Sequence, residues 1–481
     1  MKFTLKWLKE HLETDATLGE LAERLTMLGL EVEEISDAAA GLKGFRTAKV
    51  VSAEQHPDAD RLRVCLVDAG DGEQVQVVCG APNARTGMIG VFAPSGAHVP
   101  GTGIDLKPTK IRGVESNGML LSEREMGISE DHDGIVDLPD DTPIGLEAAD
   151  VMGLDDPVIE LGITPDRADC FGVRGIARDL AAAGIGTLKP LEAEEIPGGF
   201  EPPIKWQRDF SADNQDACPM VVGRYFRGVQ NGPSPKWVQD RLKAIGLRPI
   251  SALVDITNLV TFDLCRPLHV FDADKLSGDL TMRFARGGEK ILALDGKEYT
   301  LEDGMSIIAD EGAVHAIGGI MGGENSGCTE TTTSVFLEVA LFDPIRTATT
   351  GRKLSIESDA RYRFERGLDP ESAYWGAHVA TRLILEFCGG EASELTVTGD
   401  MPQWARPVSL RPERLKTFGG VDVATNDAVS ILERLGFNPN VEGGVIQGTA
   451  PSWRADVESE YCLVEEVLRV KGFDEIPVVP L

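Results

Sequence analysis

Between His56 and Gly127 the chain reads HPDADRLRVCLVDAG, then VCGAPNARTG, then PSGAHVPGTGIDLKPTKIRGVESNGMLLSEREMG. Short β-rich runs, Val64 to Val67, Val75 to Cys79 and Ile89 to Phe92, are separated by Gly, Pro, Asn and Asp at turn positions. That spacing predicts a small antiparallel barrel of the OB type. Arg61, Arg63, Arg85, Lys107, Lys110 and Arg112 fall inside it, and Gly41 to Gly113 carries nine Lys or Arg against seven Asp or Glu. Phosphate backbones require such a local field, because their affinity comes from counterion release at Lys and Arg contacts. A structural barrel with ordinary surface charges has the same composition, so composition leaves both readings open.

The rest of the chain is strongly acidic. A formal charge of −31 opposes non-specific binding to RNA or anionic membranes, so any RNA contact must be local or shared with a partner. At 481 residues the chain exceeds one core, and roughly 150 residues per domain gives about three or four. Eight cysteines, at 65, 79, 170, 218, 265, 328, 388 and 462, show no CxxC or Cys/His clustering. They suggest reduced thiols, not a zinc site or a disulfide framework. No apolar run approaches the roughly 18 residues of a membrane span, and MKFTLKWLKEHL lacks the apolar core of a signal peptide. A cytoplasmic protein without membrane contact is expected.

Punctuation along the chain divides it further. Thr17 precedes LGELAERLTMLG, with Glu20 three residues on and Gly29 at the end, which predicts a helix opened by a capping box and closed by glycine. After the barrel, Val158 to Leu188 returns to an α/β pattern with a helix predicted over Val173 to Ala183, so the barrel reads as an insertion in a discontinuous first domain. Pro190 to Pro203, rich in Pro, Glu and Gly, is a linker. Near the end, Thr425 is positioned to cap a helix ending at Leu435 and Gly436, a VEGGV hairpin follows, and Asp456 is positioned to cap a last helix to Lys471 and Gly472. Helix, hairpin and helix together suggest a winged-helix-like module.

The stretch from His56 to Gly127 resembles the tRNA-binding domain near the N-terminus of the bacterial phenylalanyl-tRNA synthetase β subunit. The same barrel also occurs in stand-alone tRNA-binding proteins. Five further pieces extend the likeness in the family's own order: RPISALVDITNLV from Arg248, CRPLHVFDAD from Cys265, AIGGIMGGENSG from Ala316, FLEVALFDP from Phe336 and SIESDARYRFERGLDP from Ser355. These resemble the editing domain of that subunit, which removes tyrosine wrongly attached to tRNA(Phe). Such editing has a physical motive, since an apolar pocket rejects an added hydroxyl by only about two decades.

By that resemblance Glu338 is the acceptor for the tyrosine phenol, and Arg248, Thr257, His269, Gly322, Ser358 and Ala360 line the pocket. Thr257 and His269 would order the attacking water, Arg248 would hold the tRNA end or substrate, and Gly322 would let bare backbone approach the ester. Ser358 stands where the family often has Thr. No nucleophile elbow or Cys/His pair is evident, so water attack on the ester is expected over covalent catalysis. RYRFERG, with Arg363, Phe364 and Glu365, loosely resembles the ATP-binding signature of class II synthetases. Gly367, Asp369 and Pro370 instead place it in the editing context, and it is not read as an ATP site.

APSWRADVESEYCLVEEVLRVKGFDEIP, from Ala450, resembles the family's next module, where acidic residues are associated with Mg2+ shared with the α subunit. Asp456, Glu465 and Glu466 correspond, while Cys462 stands in place of an Asp and is a poor Mg2+ ligand. A solvated acidic helix face remains the other reading. The family continues with catalytic-like and anticodon-binding domains that these residues do not include, so adenylate formation is not expected from them and ATP is needed only in the full enzyme.

The expected whole is an α+β multidomain chain. Residues 1–39 with 151–200 would form a discontinuous α/β domain, 40–150 an OB-fold tRNA-binding domain, 205–400 a mixed α/β editing domain, and 405–477 the winged-helix-like module. The resemblance implies an α2β2 assembly with the α subunit, tRNA(Phe) as partner, and hydrolysis of tyrosyl-tRNA(Phe). A non-catalytic tRNA-binding module and a scaffold for the α subunit are the alternatives.

Overall fold

The computed structural model describes residues 1–478. The chain forms two compact units, Glu34–Ile159 and Met1–Glu33 with the chain from Glu160 onward. Mixed helix and strand content runs through several cores, as a multidomain α/β chain requires.

In Glu34–Ile159 the main strands are β1 (Arg46–Gln55), β2 (Arg63–Asp68), β3 (Gln74–Cys79), β4 (Ile89–Pro94) and β5 (Gly118–Leu120). They make one antiparallel sheet in the order β5-β4-β1-β2-β3. The three runs read from sequence are the centres of β2, β3 and β4. Alternation in β2 turns Cys65 and Val67 onto Val50, Val77, Phe92 and Leu120, and each such fully buried Val, Leu or Phe contributes about 1.5–3 kcal/mol. Val91 and Ala93, on the opposite face of β4, pack with Leu42, Phe45 and Leu121. A bulge between Val50 and Ser52 bends β1. The sheet curls until its edges meet: the Asn117 N–H donates to the Gln76 carbonyl at 2.9 Å and the Val78 N–H to Ser116 Oγ at 3.1 Å.

In the larger unit, α1 (Leu18–Met27) carries the predicted capping box. Thr17 Oγ1 accepts the Glu20 N–H at 3.3 Å and the Glu20 carboxylate accepts the Thr17 N–H at 2.8 Å. Helix α2 (Val173–Ala182) stops one residue before the expected end, with Ala183 as its C-cap, and buries Val173, Ile176 and Leu180 together with the charged Asp179. Residues 189–205 carry neither helix nor strand, as a linker of that composition should.

Residues 206–399 fold as two larger sheets, a two-stranded ladder of Lys290–Leu292 with Glu298–Thr300, and helices. One antiparallel sheet takes β6 (Met220–Arg227), β7 (His269–Asp272), β8 (Ser334–Ala340) and β9 (Glu391–Gly399) in the order β7-β8-β6-β9. The other runs Trp206–Asp209, Leu280–Phe284, Ser306–Ala309, Val314–Ile317, Met321–Gly322, with its first pair parallel. Trp206, Val221, Phe271, Met282, Ile308 and Phe336 form their common core, with Trp206 stacked on Phe336 at 5.0 Å. The helices of this region include α3 (Ala252–Leu264), α4 (Asp359–Phe364) and α5 (Ser372–Cys388), α3 and α5 packing on each other and α5 on β6 and β8. Strand β8 is therefore apolar on both faces, SVFLEVA, with Glu338 as its only ionisable residue.

Beyond it, Pro407–Leu410, Val445–Thr449 and Asn440–Glu442 make a three-stranded antiparallel sheet, joined by α6 (Thr425–Arg434) and α7 (Glu460–Lys471). The VEGGV hairpin is found, but both predicted caps are corrected. Thr425 is the first helical residue behind the N-cap Ala424, which makes no side-chain cap bond, and α7 begins after Ser459. Asp456 lies short of α7 because the Arg454 guanidinium binds both of its oxygens, at 2.8 and 2.7 Å.

Candidate functional site

A cavity of about 330 Å³ opens between the two sheets of residues 206–399, and His269, Gly322, Glu338, Ser358 and Ala360 all line it. His269 and Glu338 are register partners on β7 and β8, so the pleat sends both side chains to one face. Burial in the apolar β8 pushes the Glu338 carboxyl up to about 7, against the opposing pull of Arg266 and of the Ala340 N–H that it accepts. Burial holds the His269 ring down at about 4. The imidazole is therefore neutral at physiological pH. Its Nε2 is out of solvent without a hydrogen-bond partner, and its edge rests on Phe271 at 4.5 Å.

Gly322 makes room for that ring. A Cβ there would lie 2.8 Å from His269 Nε2 and 3.1 Å from Leu294 Cδ1, closer than van der Waals contact allows. Ser358 is the N-cap of α4: its Oγ accepts the Arg361 N–H at 3.1 Å and donates to the Ile320 carbonyl at 2.6 Å. With its hydroxyl committed on both sides, Ser358 fixes the first turn of α4, and hence Ala360, against the segment carrying Gly322.

Two expected residues are not brought in. Thr257 lies on α3 with its hydroxyl donating back to the Val254 carbonyl at 2.7 Å, and its neighbour Asn258 lines the cavity instead. One residue is 100° on a helix, enough to turn a side chain off the site. Arg248 is exposed in the loop before α3 and does not line the cavity.

Sequence reasoning also missed Leu294 and Arg266. Leu294 lines the cavity at 54% exposure, an anomaly visible only once the fold is known. Arg266 is completely buried beside β8, donating through Nη2 to the Ala340 carbonyl and through Nη1 to Ser372 Oγ at 3.2 Å. It lies within the CRPLHVFDAD piece, but a lone Arg before Pro gives no sign of burial.

In Glu34–Ile159 the basic residues are on or near the surface. Arg61, Lys107, Lys110 and Arg112 are exposed and Arg63 is half-buried on β2. Lys110 and Arg112 belong to a hairpin of Thr109–Ile111 with Val114–Ser116, turned by Arg112 and Gly113 at φ 47° and 86°, the backbone of a tight two-residue turn. The hairpin is tied to the loop that carries Arg61. Buried His56 accepts the Asp58 N–H on Nδ1 at 3.1 Å, which leaves Nε2 to donate to the Ile111 carbonyl at 3.2 Å, and Arg112 Nη1 donates to the Asp58 carbonyl at 3.2 Å. Arg85 differs, its guanidinium held bidentately by Asp137 at 2.7 and 3.2 Å.

The proposed Mg2+ residues do not fit that ion. Glu466 accepts from Arg454 and Arg469 on both oxygens, Asp456 accepts from Arg454 on both, Glu465 is exposed, and the Cys462 thiol sits 3.3 Å from Ser459 Oγ. Among the described residues no group of three or more His, Cys, Asp and Glu is arranged to hold a metal. Glu466 and Asp456 belong instead to a buried ion-pair lattice with Arg167, Asp169, Asp179, Arg454 and Arg469.

Three stretches of the chain match known protein families. Family profiles match at residues 45–147 ("Putative tRNA binding domain"), 217–389 (B3/4 domain) and 408–473 (tRNA synthetase B5 domain). The phenylalanine--tRNA ligase beta subunit of Paramagnetospirillum magneticum is 54% identical over 481 residues, and those of Brucella abortus and Mesorhizobium japonicum are 56% identical over 481 and 482. Each alignment takes in 100% of this chain and 60% of the relative. An N-terminal fragment of the phenylalanyl-tRNA synthetase beta subunit from Pyrococcus horikoshii aligns at 15% identity over 66% of this chain and 88% of that one, with a TM-score of 0.35, a likeness too slight to bear on the fold. Three domain matches in order, and identity above one half along its whole length, match the chain to the N-terminal part of phenylalanine--tRNA ligase beta subunits, and it spans about 60% of the length of the curated relatives it matches.

Proposed function

We propose that this chain serves, as part of a phenylalanyl-tRNA synthetase β subunit, to hold tRNA(Phe) and to hydrolyse tyrosine wrongly esterified to it. The observation that carries this reading is the cavity where Glu338 and His269 share one face beside the bare backbone of Gly322. In the whole enzyme it would support ATP-dependent attachment of phenylalanine within an α2β2 assembly with the α subunit, in the cytoplasm. The 34–159 unit would be an OB-type barrel that takes the tRNA, and the module from Pro407 a winged-helix-like element.

A buried carboxylate aimed into an apolar slot favours a ligand that brings a hydroxyl donor, and a bare phenyl ring leaves that carboxylate unpaired. Tyrosine is thus bound in preference to phenylalanine. His269, neutral and with a free Nε2, is the acceptor that orders the attacking water. Water adds to the ester carbonyl carbon, the bond to the ribose oxygen breaks, and tyrosine and free tRNA result. Gly322 and the α4 turn set by Ser358 shape the space for the ester. No step passes through a metal.

The test is hydrolysis of tyrosyl-tRNA(Phe) by the purified chain, with phenylalanyl-tRNA(Phe) as control. Selective loss of the tyrosyl ester, abolished in the Glu338→Ala/His269→Ala double variant, supports the reading. Unchanged hydrolysis by that variant refutes it.

A further inference from the structure

Glu338 has a charged neighbour that the pocket itself does not display. Arg266 is 0% exposed, and a buried guanidinium persists only where its seat is built. Helix α5 supplies the seat: Gly376 sits where a Cβ would come within 2.9 Å of Arg266 Cγ. Ser372, one turn earlier on α5, accepts from Nη1. Nη2 is fastened to the Ala340 carbonyl, while the N–H of the same residue is donated to the Glu338 carboxylate. Nε is buried with no partner. One residue of β8 thus ties the guanidinium and the carboxylate together.

We propose that Arg266 is a positioning residue for Glu338, its seated positive charge holding the carboxylate ionised and aimed into the cavity, and so setting the preference for a phenol hydroxyl over a bare ring. This rests on the editing reading above and adds to it the residue that makes the acceptor effective. Without Arg266, only the Ala340 N–H opposes burial at Glu338, and the neutral acid that burial then favours lacks the charge that strengthens its bond to a hydroxyl.

Other groups around the carboxylate do not supply that charge. His269 on β7 is neutral above about pH 5, since burial holds it near 4. Cys218, before β6, is buried and Cys265, before Arg266, half-buried; desolvation pushes both thiols well upward and they stay neutral. Gly223, the register partner of Glu338 on β6, carries no charge. Asp359 lines the cavity from α4 but is paired with Arg363 at 3.2 Å. Asp369, just before α5, acts on Arg266 and is itself raised by burial.

The experiment is the ratio of L-phenylalanine to L-tyrosine dissociation constants, measured by calorimetry on the whole chain from about pH 6 to about pH 9. The wild type should prefer tyrosine increasingly as pH rises through about 7, the value at which Glu338 ionises. Arg266→Gln should move that midpoint up by at least about one pH unit, Arg266→Lys should bring it back, and Asp369→Asn should leave it in place. Glu338→Gln should abolish the preference at every pH. An Arg266→Gln midpoint equal to the wild type's overturns the role of Arg266 and leaves the editing reading standing. Should Arg266→Gln fail to fold, Gly376→Ala displaces the arginine while keeping its charge, and an unmoved midpoint there overturns the proposal equally. A wild type with no preference for tyrosine at any pH overturns both readings together.

Discussion

Asp179 and Arg469, 290 residues apart, meet at 2.8 Å with both side chains almost wholly buried. Arg167 reaches the same Asp179 oxygen at 2.8 Å, and Arg469 in turn holds Glu466. Every charge in this lattice is compensated by a neighbour, which is the condition for burying ions at tolerable cost.

Removing one partner strands the other. Arg469→Met should destabilise the larger unit by about 3–5 kcal/mol, read from urea unfolding at neutral pH. A loss under about 1 kcal/mol would show that water reaches the lattice and screens it.

The same lattice sets an acid limit. Burial alone would raise Asp169, but Arg167 and Arg454 outweigh it and hold its pKa at about 2, and Glu466 is held well below its usual range by Arg454 and Arg469. A carboxylate depressed on folding contributes stability that is complete above its unfolded pKa of about 4 and is lost as pH falls through the folded value. Stability should therefore be insensitive to these groups above about pH 5 and decline between about pH 4 and about pH 2. Unfolding midpoints across that range test it, and a decline centred near pH 6 would contradict it.

Glu338 has the opposite sign. Its pKa rises on folding to about 7, so its ionisation costs stability in a window that opens above about 4.3 and is complete above 7. Glu338→Gln should stabilise the chain at pH 8 by up to about 3 kcal/mol and have little effect near pH 4, while the selectivity for tyrosyl-tRNA(Phe) falls at least about tenfold. Equal effects on unfolding at both pH values would mean that the carboxyl is not desolvated.

Gly322→Ala places a methyl in the space of the His269 ring. Ester hydrolysis should fall about 10- to 100-fold with the circular dichroism spectrum unchanged, since displacement by about 1 Å suffices for such a loss. Retained activity would separate His269 from the chemistry.

For the 34–159 unit, Lys110→Ala and Arg112→Ala should each weaken tRNA binding and reduce the slope of log K against log salt by about one. Arg85→Ala should change it less, because Asp137 already neutralises Arg85. Identical slopes for all three variants would argue against this face.

What the sequence disclosed follows from how local each signal is. The strand runs and the Thr17 capping box were readable because alternation and capping act within a few residues, and His269, Gly322, Glu338, Ser358 and Ala360 were reachable through resemblance and do share one cavity. Thr257 failed because which residue of α3 faces the cavity depends on how the helix is turned against the sheets. Asp456 and Glu466 suggested a cation through the resemblance alone, whereas the neutralising Arg454 and Arg469 are visible only once the chain is folded. Arg266 was silent for the same reason.

Gly322 and His269 occupy a single volume between them. Drift at one is therefore bound to the other: a lineage that gained any side chain at 322 would first have to give up or shrink the imidazole at 269, so the two positions should be inherited as one character, changing together or not at all.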